Sequence, residues 1–121
     1  MDKLIYGVEV KKISQTGKQK TFLFFVSDRD NKTIEYVEKG GRVIEKIELV
    51  KITQINFGNK RGNFSKLDSK IISNYNSDLC MSIFVNAQSI DLIFNDINEL
   101  NQFCFGISCL WQNEITEDAN L

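Results

Sequence analysis

Apolar and polar positions alternate along most of the chain and then change to steps of three and four near its end. Residues 4–13 (LIYGVEVKKI), 20–27 (KTFLFFVS) and 33–38 (TIEYVE) each read with period two, the spacing that puts alternate side chains on one face of a strand. Ser14-Gln15-Thr16-Gly17 and Asp28-Arg29-Asp30-Asn31 supply turn residues between them, so three strands follow one another as a meander. After Gly40-Gly41, residues 43–49 (VIEKIEL) fit either strand or helix. The preceding glycines and the alternation continuing through 51–57 (KITQINF) favour a short strand. Gly58 ends that run. Two more β-rich runs, 79–86 (LCMSIFVN) and 89–94 (SIDLIF), stand apart by Ala87-Gln88, a tight-hairpin spacing.

Between Gly58 and residue 79 lies a connection of about twenty residues, which a compact domain tolerates when the loop has a task or structure of its own. Phe64, Leu67 and Ile71 share a helical face there, and Lys66 and Lys70 are four apart, which predicts a short amphipathic turn covering an open sheet edge. The terminal pattern is the clearest. From Asp96 onward Ile97, Leu100, Phe103, Cys104, Ile107, Leu110 and Trp111 form one apolar stripe, with Asp96 as cap and Glu99 placed to reach back to it. The expected fold is therefore mainly β, a seven-stranded bent antiparallel barrel or sandwich capped by one C-terminal α-helix. Phe103, Ile107 and Trp111 are its expected stopper. One domain over residues 1–113 and an acidic, frayed tail over 114–121 complete the organisation.

Composition narrows the chemistry. A chain of 121 residues with 42% hydrophobic and 26% charged residues supports one core and is neither disordered nor membrane-spanning. No histidine is present, which removes the commonest general base, the serine triads and most zinc sites. Cys80, Cys104 and Cys109 are odd in number, lack a C-x-x-C pair and sit among apolar residues, as buried free thiols of a reducing compartment do. No glycine-rich phosphate loop or nucleophile elbow occurs. The expectation is a non-catalytic protein with no cofactor, no metal and no transmembrane segment.

The net charge of −1 conceals a polarity. Residues 1–27 carry five lysines against Asp2 and Glu9, and residues 58–77 carry Lys60, Arg61, Lys66 and Lys70 against Asp68, whereas residues 91–121 hold six acids and no base. A basic end attracts anionic partners even when the total is near neutral. Nucleic acid is disfavoured as that partner, since no aromatic residue is interleaved among Lys11–Lys20.

Specific pieces occur in a suggestive order: Asn56-Phe57-Gly58 closing a strand, a long polar loop, Cys80-Met81-Ser82-Ile83, Ile90-Asp91-Leu92-Ile93, then Phe103-Cys104-Phe105-Gly106-Ile107. This order resembles the pleckstrin-homology domain, in its phospholipase-C-like branch, over about residues 4–111. The helix tryptophan of that family falls on Phe103 here. The resemblance implies a lipid-headgroup site at the barrel mouth between the first two strands, at Lys12, Lys18 and Lys20, with Lys39 and Arg42 contributing from the Gly40-Gly41 turn.

The residues themselves give that site a physical reading. Lys18 and Lys20 continue the row of Phe22 and Phe24, and Lys12 that of Val8 and Val10, so lysines beyond the packed layer line its rim. Clustered ammonium groups on a concave rim suit a polyanion. The leading expectation is thus a cytoplasmic, peripherally membrane-associated module that binds anionic membrane lipids, a phosphoinositide or phosphatidic acid. A rival is a protein-interaction module of the same superfold that docks a peptide at a sheet edge or the 59–78 loop. A third reading, an apolar ligand stored in the barrel, conflicts with the crowded Phe22–Phe25 run.

Overall fold

The first alternating run becomes strand only from residue 8 onward. In the computed structural model, which describes residues 2–41 and 44–112, Asp2–Tyr6 form a short helix, α1, and Val8–Ile13 form β1. The expected strand over 4–13 is therefore corrected at its start. Gly7 breaks it with φ +121, and a Cβ there would meet Leu23 Cδ1 at 2.8 Å. Leu4 is fully buried against Gly106 of the terminal helix, so tertiary packing overrides the local alternation.

From β1 the chain builds a meander of β2 (Gln19–Asp28), β3 (Thr33–Glu38) and β4 (Ile44–Glu48), each antiparallel to the one before. A second meander, β5 (Ile52–Phe57), β6 (Cys80–Val85) and β7 (Gln88–Ile93), joins it where Lys11 faces Ile93 and Lys12 faces Leu92. The seven antiparallel strands run in the order β4-β3-β2-β1-β7-β6-β5. The hairpin between β6 and β7 turns one residue earlier than its spacing suggested. Asn86 and Ala87 take φ +51 and +64 and Val85 faces Gln88, the geometry of a two-residue primed turn.

Strand rows alternate about the core as period two requires. In β1, Val8 and Val10 are buried while Glu9 and Lys11 are exposed. Phe24 stacks on Tyr36 at 4.7 Å, and Phe103 meets the rings of Phe24 and Phe94 edge-on at 5.6 and 5.3 Å. These contacts seat the terminal helix α3 (Ile97–Trp111) on the sheet. Asp96 accepts the Glu99 N–H at 2.8 Å, the expected cap. The stopper differs from expectation in one member: Leu100, Phe103, Cys109 and Leu110 are buried, but Trp111 is 50% exposed, beside Lys32. Phe103 has no exposure.

The long connection is ordered but is not one amphipathic turn. It contains 3-10 turns at Gly62–Lys66 and Ser77–Leu79 and a one-turn helix α2 (Ser69–Ile72). Asp68 caps α2 by accepting the Lys70 N–H at 2.9 Å, which restarts the helical phase after Leu67. Consequently Ile72, not Ile71, joins Leu67 and Tyr75 around a second small core of Ile13, Phe64 and Cys80.

Candidate functional site

Lys12 and Lys20 face each other directly across β1 and β2, beyond the layer formed by Val10 and Phe22. Like charges placed opposite on one face repel. Lys12 is half-buried, with its ammonium 5.9 Å from the centre of the Phe22 ring, while Lys20 reaches Glu38 of β3 at 3.5 Å. Glu38 faces Phe22 in the register and thus lies on the same inner row. It is an acid in the mouth that charge counting along the sequence passed over, because its relevance depends on pairing with β2.

The loop between β1 and β2 is held by its first residue. Ser14 Oγ accepts the backbone N–H of Thr16 at 3.3 Å and of Lys18 at 3.1 Å, and Ser14 N–H donates to the Lys18 carbonyl at 2.9 Å. This fixes Lys18 at the rim, exposed. Lys39 follows a different course from the expected one. Its ammonium pairs with Glu9 at 3.2 Å, and Glu9 belongs to the outer row of β1, so Lys39 faces away from Lys12 and Lys20. Its position two residues beyond Val37 puts it on that row, since Val37 faces Leu23 and Leu23 faces Glu9. Arg42 and the acidic tail lie outside the described residues.

The 58–79 connection supplies what the sequence could not place. Gly62, Asn63, Ser65 and Lys66 form one wall of an open concavity of about 640 Å³ whose other walls are Lys12, Ser14 and Gln15 and the β6–β7 turn. Lys66 therefore joins Lys12 at one hollow. That wall is anchored twice: Asn63 Nδ2 donates to the Ile13 carbonyl at 3.2 Å, and the Asn63 N–H donates to the Asp91 carboxylate at 3.1 Å. Asp91 has no exposure and also accepts the hydroxyls of Ser82 at 2.6 Å and Ser89 at 2.8 Å. Farther along, Gln19 donates to the Tyr75 hydroxyl at 2.7 Å, tying the connection to β2. The helical spacing of Lys66 and Lys70 marked the segment, but only tertiary contacts set Lys66 at the hollow that Lys12 lines.

The titratable groups elsewhere are structural in character. Burial pushes the Cys80 thiol up to about 11 and raises that of Cys104, the reverse of nucleophile activation. Burial, then the Glu45 carboxylate, raises Tyr36, whose hydroxyl donates to Glu45 at 3.1 Å. Cys80 and Cys104 carry free thiols. Among the described residues no three acidic or cysteine side chains converge as a metal site would require, and no helix is long and apolar enough to cross a membrane.

A mainly β domain of seven antiparallel strands with a C-terminal helix seated on Phe24 and Phe94 is a pleckstrin-homology-like fold. Solved structures share it. Inner membrane complex sub-compartment protein 1 of Toxoplasma gondii matches with TM-score 0.65 at 14% identity, over 88% of this chain and 83% of that one. Sub-compartment protein 3 of the same organism matches with TM-score 0.63 at 14% identity, over 94% and 82%. PLC21 of L. pealei matches with TM-score 0.69 at 15% identity, over 93% of this chain but 16% of that one. No family model and no curated protein matches the sequence.

Proposed function

We propose that this domain is a non-catalytic membrane-targeting module that binds the phosphate of an anionic phospholipid headgroup, phosphoinositide or phosphatidic acid, at the end of the β1–β2 hairpin. The observation that carries the reading is the Lys12–Lys20 pair. The two lysines are register partners on an inner row, where like charges repel, and an anion held between them would relieve that repulsion. Lys18 in the exposed β1–β2 loop and Lys66 across the hollow from Lys12 extend the positive field. Lys39 faces the other way and pairs with Glu9, so it stands apart from this site. The names of two fold neighbours place those proteins at an inner membrane complex, which agrees with peripheral membrane attachment here.

Lysines act as point charges rather than bidentate forks, and each gains about 1 kcal/mol near an anionic surface. Micromolar-scale recruitment is expected. Sedimentation with phosphatidylcholine vesicles, alone or carrying phosphatidic acid or a phosphoinositide, tests it. Wild type should sediment with the anionic vesicles only, and Lys12→Ala/Lys20→Ala should lose about tenfold or more in affinity. Equal binding of the variant, or no binding by wild type, overturns the reading.

A second reading, a protein-interaction module without lipid binding, is favoured by the pairing of Lys20 with Glu38 and Lys39 with Glu9, which draws two of the bases away from an anion.

A further inference from the structure

An apolar groove of about 390 Å³ runs between β5 and α3, walled by Ile52, Ile55 and Phe57 on one side and Cys104, Ile107 and Trp111 on the other. A register shift between Ile52 and Gln54 makes it. With Thr53 bulged out, Ile52 faces Val85, Ile55 faces Ile83 and Phe57 faces Met81, so all three apolar side chains point towards the helix. They are not sealed there: Phe57 is 66% exposed and Trp111 50%.

The groove opens onto a strand edge. β5 ends the sheet, and its sequence ITQINF carries no charge, whereas β4 at the opposite edge carries Glu45, Lys46 and Glu48. Charged side chains are how exposed edges discourage strand addition, and β5 lacks them. A segment added to β5 would drop alternate side chains into the groove.

The two ends of the groove differ in charge. At the Ile52 end the Lys32 ammonium lies 5.1 Å from the centre of the Trp111 ring and donates to the Trp111 carbonyl. At the Phe57 end an adjoining hollow brings in the exposed Asp78. An antiparallel partner strand, the more stable arrangement, begins beside Phe57 and ends beside Ile52.

We propose that the β5–α3 groove takes an extended segment of another protein, paired antiparallel to β5. The segment is apolar at alternate positions, basic at its N-terminal end towards Asp78 and acidic at its C-terminal end towards Lys32. The site is separate from the lysines of the β1–β2 hairpin and stands whatever the vesicle experiment gives.

Trp111 is the sole tryptophan of the chain and reports directly on the groove. Two synthetic peptides serve as probes, one with lysine first, leucine and valine at alternate positions and glutamate last, the other with the two charges exchanged. The first should shift Trp111 emission to the blue and saturate at micromolar concentration, and the second should bind about fivefold more weakly, as one or two exposed charge contacts imply. Phe57→Asp should weaken the first peptide by about tenfold or more, with an unchanged circular dichroism spectrum because the side chain is exposed. No emission shift with either peptide, equal affinity for the two, or indifference to Phe57→Asp overturns the proposal. So does self-association in analytical ultracentrifugation that Phe57→Asp abolishes, which would make a second copy the occupant.

Discussion

The backbone N–H of Asn63 donates to the carboxylate of Asp91 at 3.1 Å, fastening the long connection between β5 and β6 to the middle of β7. Asp91 has no exposure, and its other partners are two serine hydroxyls. A buried carboxylate persists only when donors replace its lost water. The clasp therefore makes the wall holding Lys66 a fixed part of the domain.

Removing the clasp should be expensive. Asp91→Ala leaves Ser82, Ser89 and the Asn63 N–H without their acceptor, and a loss of roughly 2–4 kcal/mol is expected. Gly62→Ala should cost at least as much, since Gly62 has φ +58 and an added Cβ would lie 2.1 Å from Asp91 Oδ1. Urea unfolding followed by Trp111 fluorescence measures both, and a shift in midpoint of Asp91→Ala too small to detect would contradict the assignment.

How much of this was legible beforehand varied with the range of the interaction. Strands β2, β3, β6 and β7, the Asp96 cap and the helical stripe rest on local periodicity, and they fall within a residue or two of their expected bounds. α1 was not legible, because Leu4 continues a period-two pattern and is drawn from it only by Gly106, over a hundred positions later. Lys12 and Lys20 could be placed on the inner row from parity alone. Lys39 could not, since its choice of Glu9 depends on the order of β1, β2 and β3 in the sheet. Glu38 and Lys66 were hidden for the same reason: Glu38 meets Lys20, and Lys66 meets the hollow that Lys12 lines, only through contacts that are not local in sequence.

The close approach of α1 to α3 makes its own prediction. A Cβ on Gly106 would lie 2.7 Å from Leu4 Cβ, so Gly106→Ala sets a helix-propensity gain of about 1 kcal/mol against overpacking of about 1–3 kcal/mol. Overpacking should prevail, because a Cβ–Cβ conflict cannot be relieved by a rotamer change. Leu4→Ala should not rescue the variant, for the same Cβ remains. Thermal unfolding of the two single variants and the double variant checks this, and hydrogen exchange should show residues 4–6 released first.

Cys80 should contribute a pH-dependent share of stability. Burial lifts its thiol from the ordinary 9.0 to about 11. The unfolded chain therefore loses this proton before the folded one does as pH rises, so the stabilisation is fully present below pH 9.0 and is lost as pH climbs to about 11. Comparing wild type with Cys80→Ala in a reducing buffer isolates this group from the rest of the chain. The stability difference between them should shrink by on the order of 2 kcal/mol between pH 8 and pH 11. A difference that stays constant would mean that the thiol reaches water without unfolding.

Glu38 gives the sharpest test of the electrostatics at the mouth. It sits on the inner row facing Phe22 and holds Lys20 at 3.5 Å, so under the proposed function a phosphate would compete with a carboxylate already in place. Glu38→Gln removes that competitor while keeping the side chain's size. Lys20 is 60% exposed in its side chain, and an exposed pair of this kind stabilises by at most about 1 kcal/mol. Folding should thus change little. One freed lysine beside an anionic leaflet gains about 1 kcal/mol, so affinity for vesicles containing phosphatidic acid or phosphoinositide should rise about fivefold at low salt. The gain should vanish at high ionic strength, where exposed charges are screened over a few ångströms. Lys20→Ala should erase it as well, because the effect of Glu38 passes through that ammonium. If Glu38→Gln left vesicle affinity unchanged at low salt, Lys20 would not be in contact with the headgroup, and the site would have to be rebuilt around Lys12 and Lys66 alone.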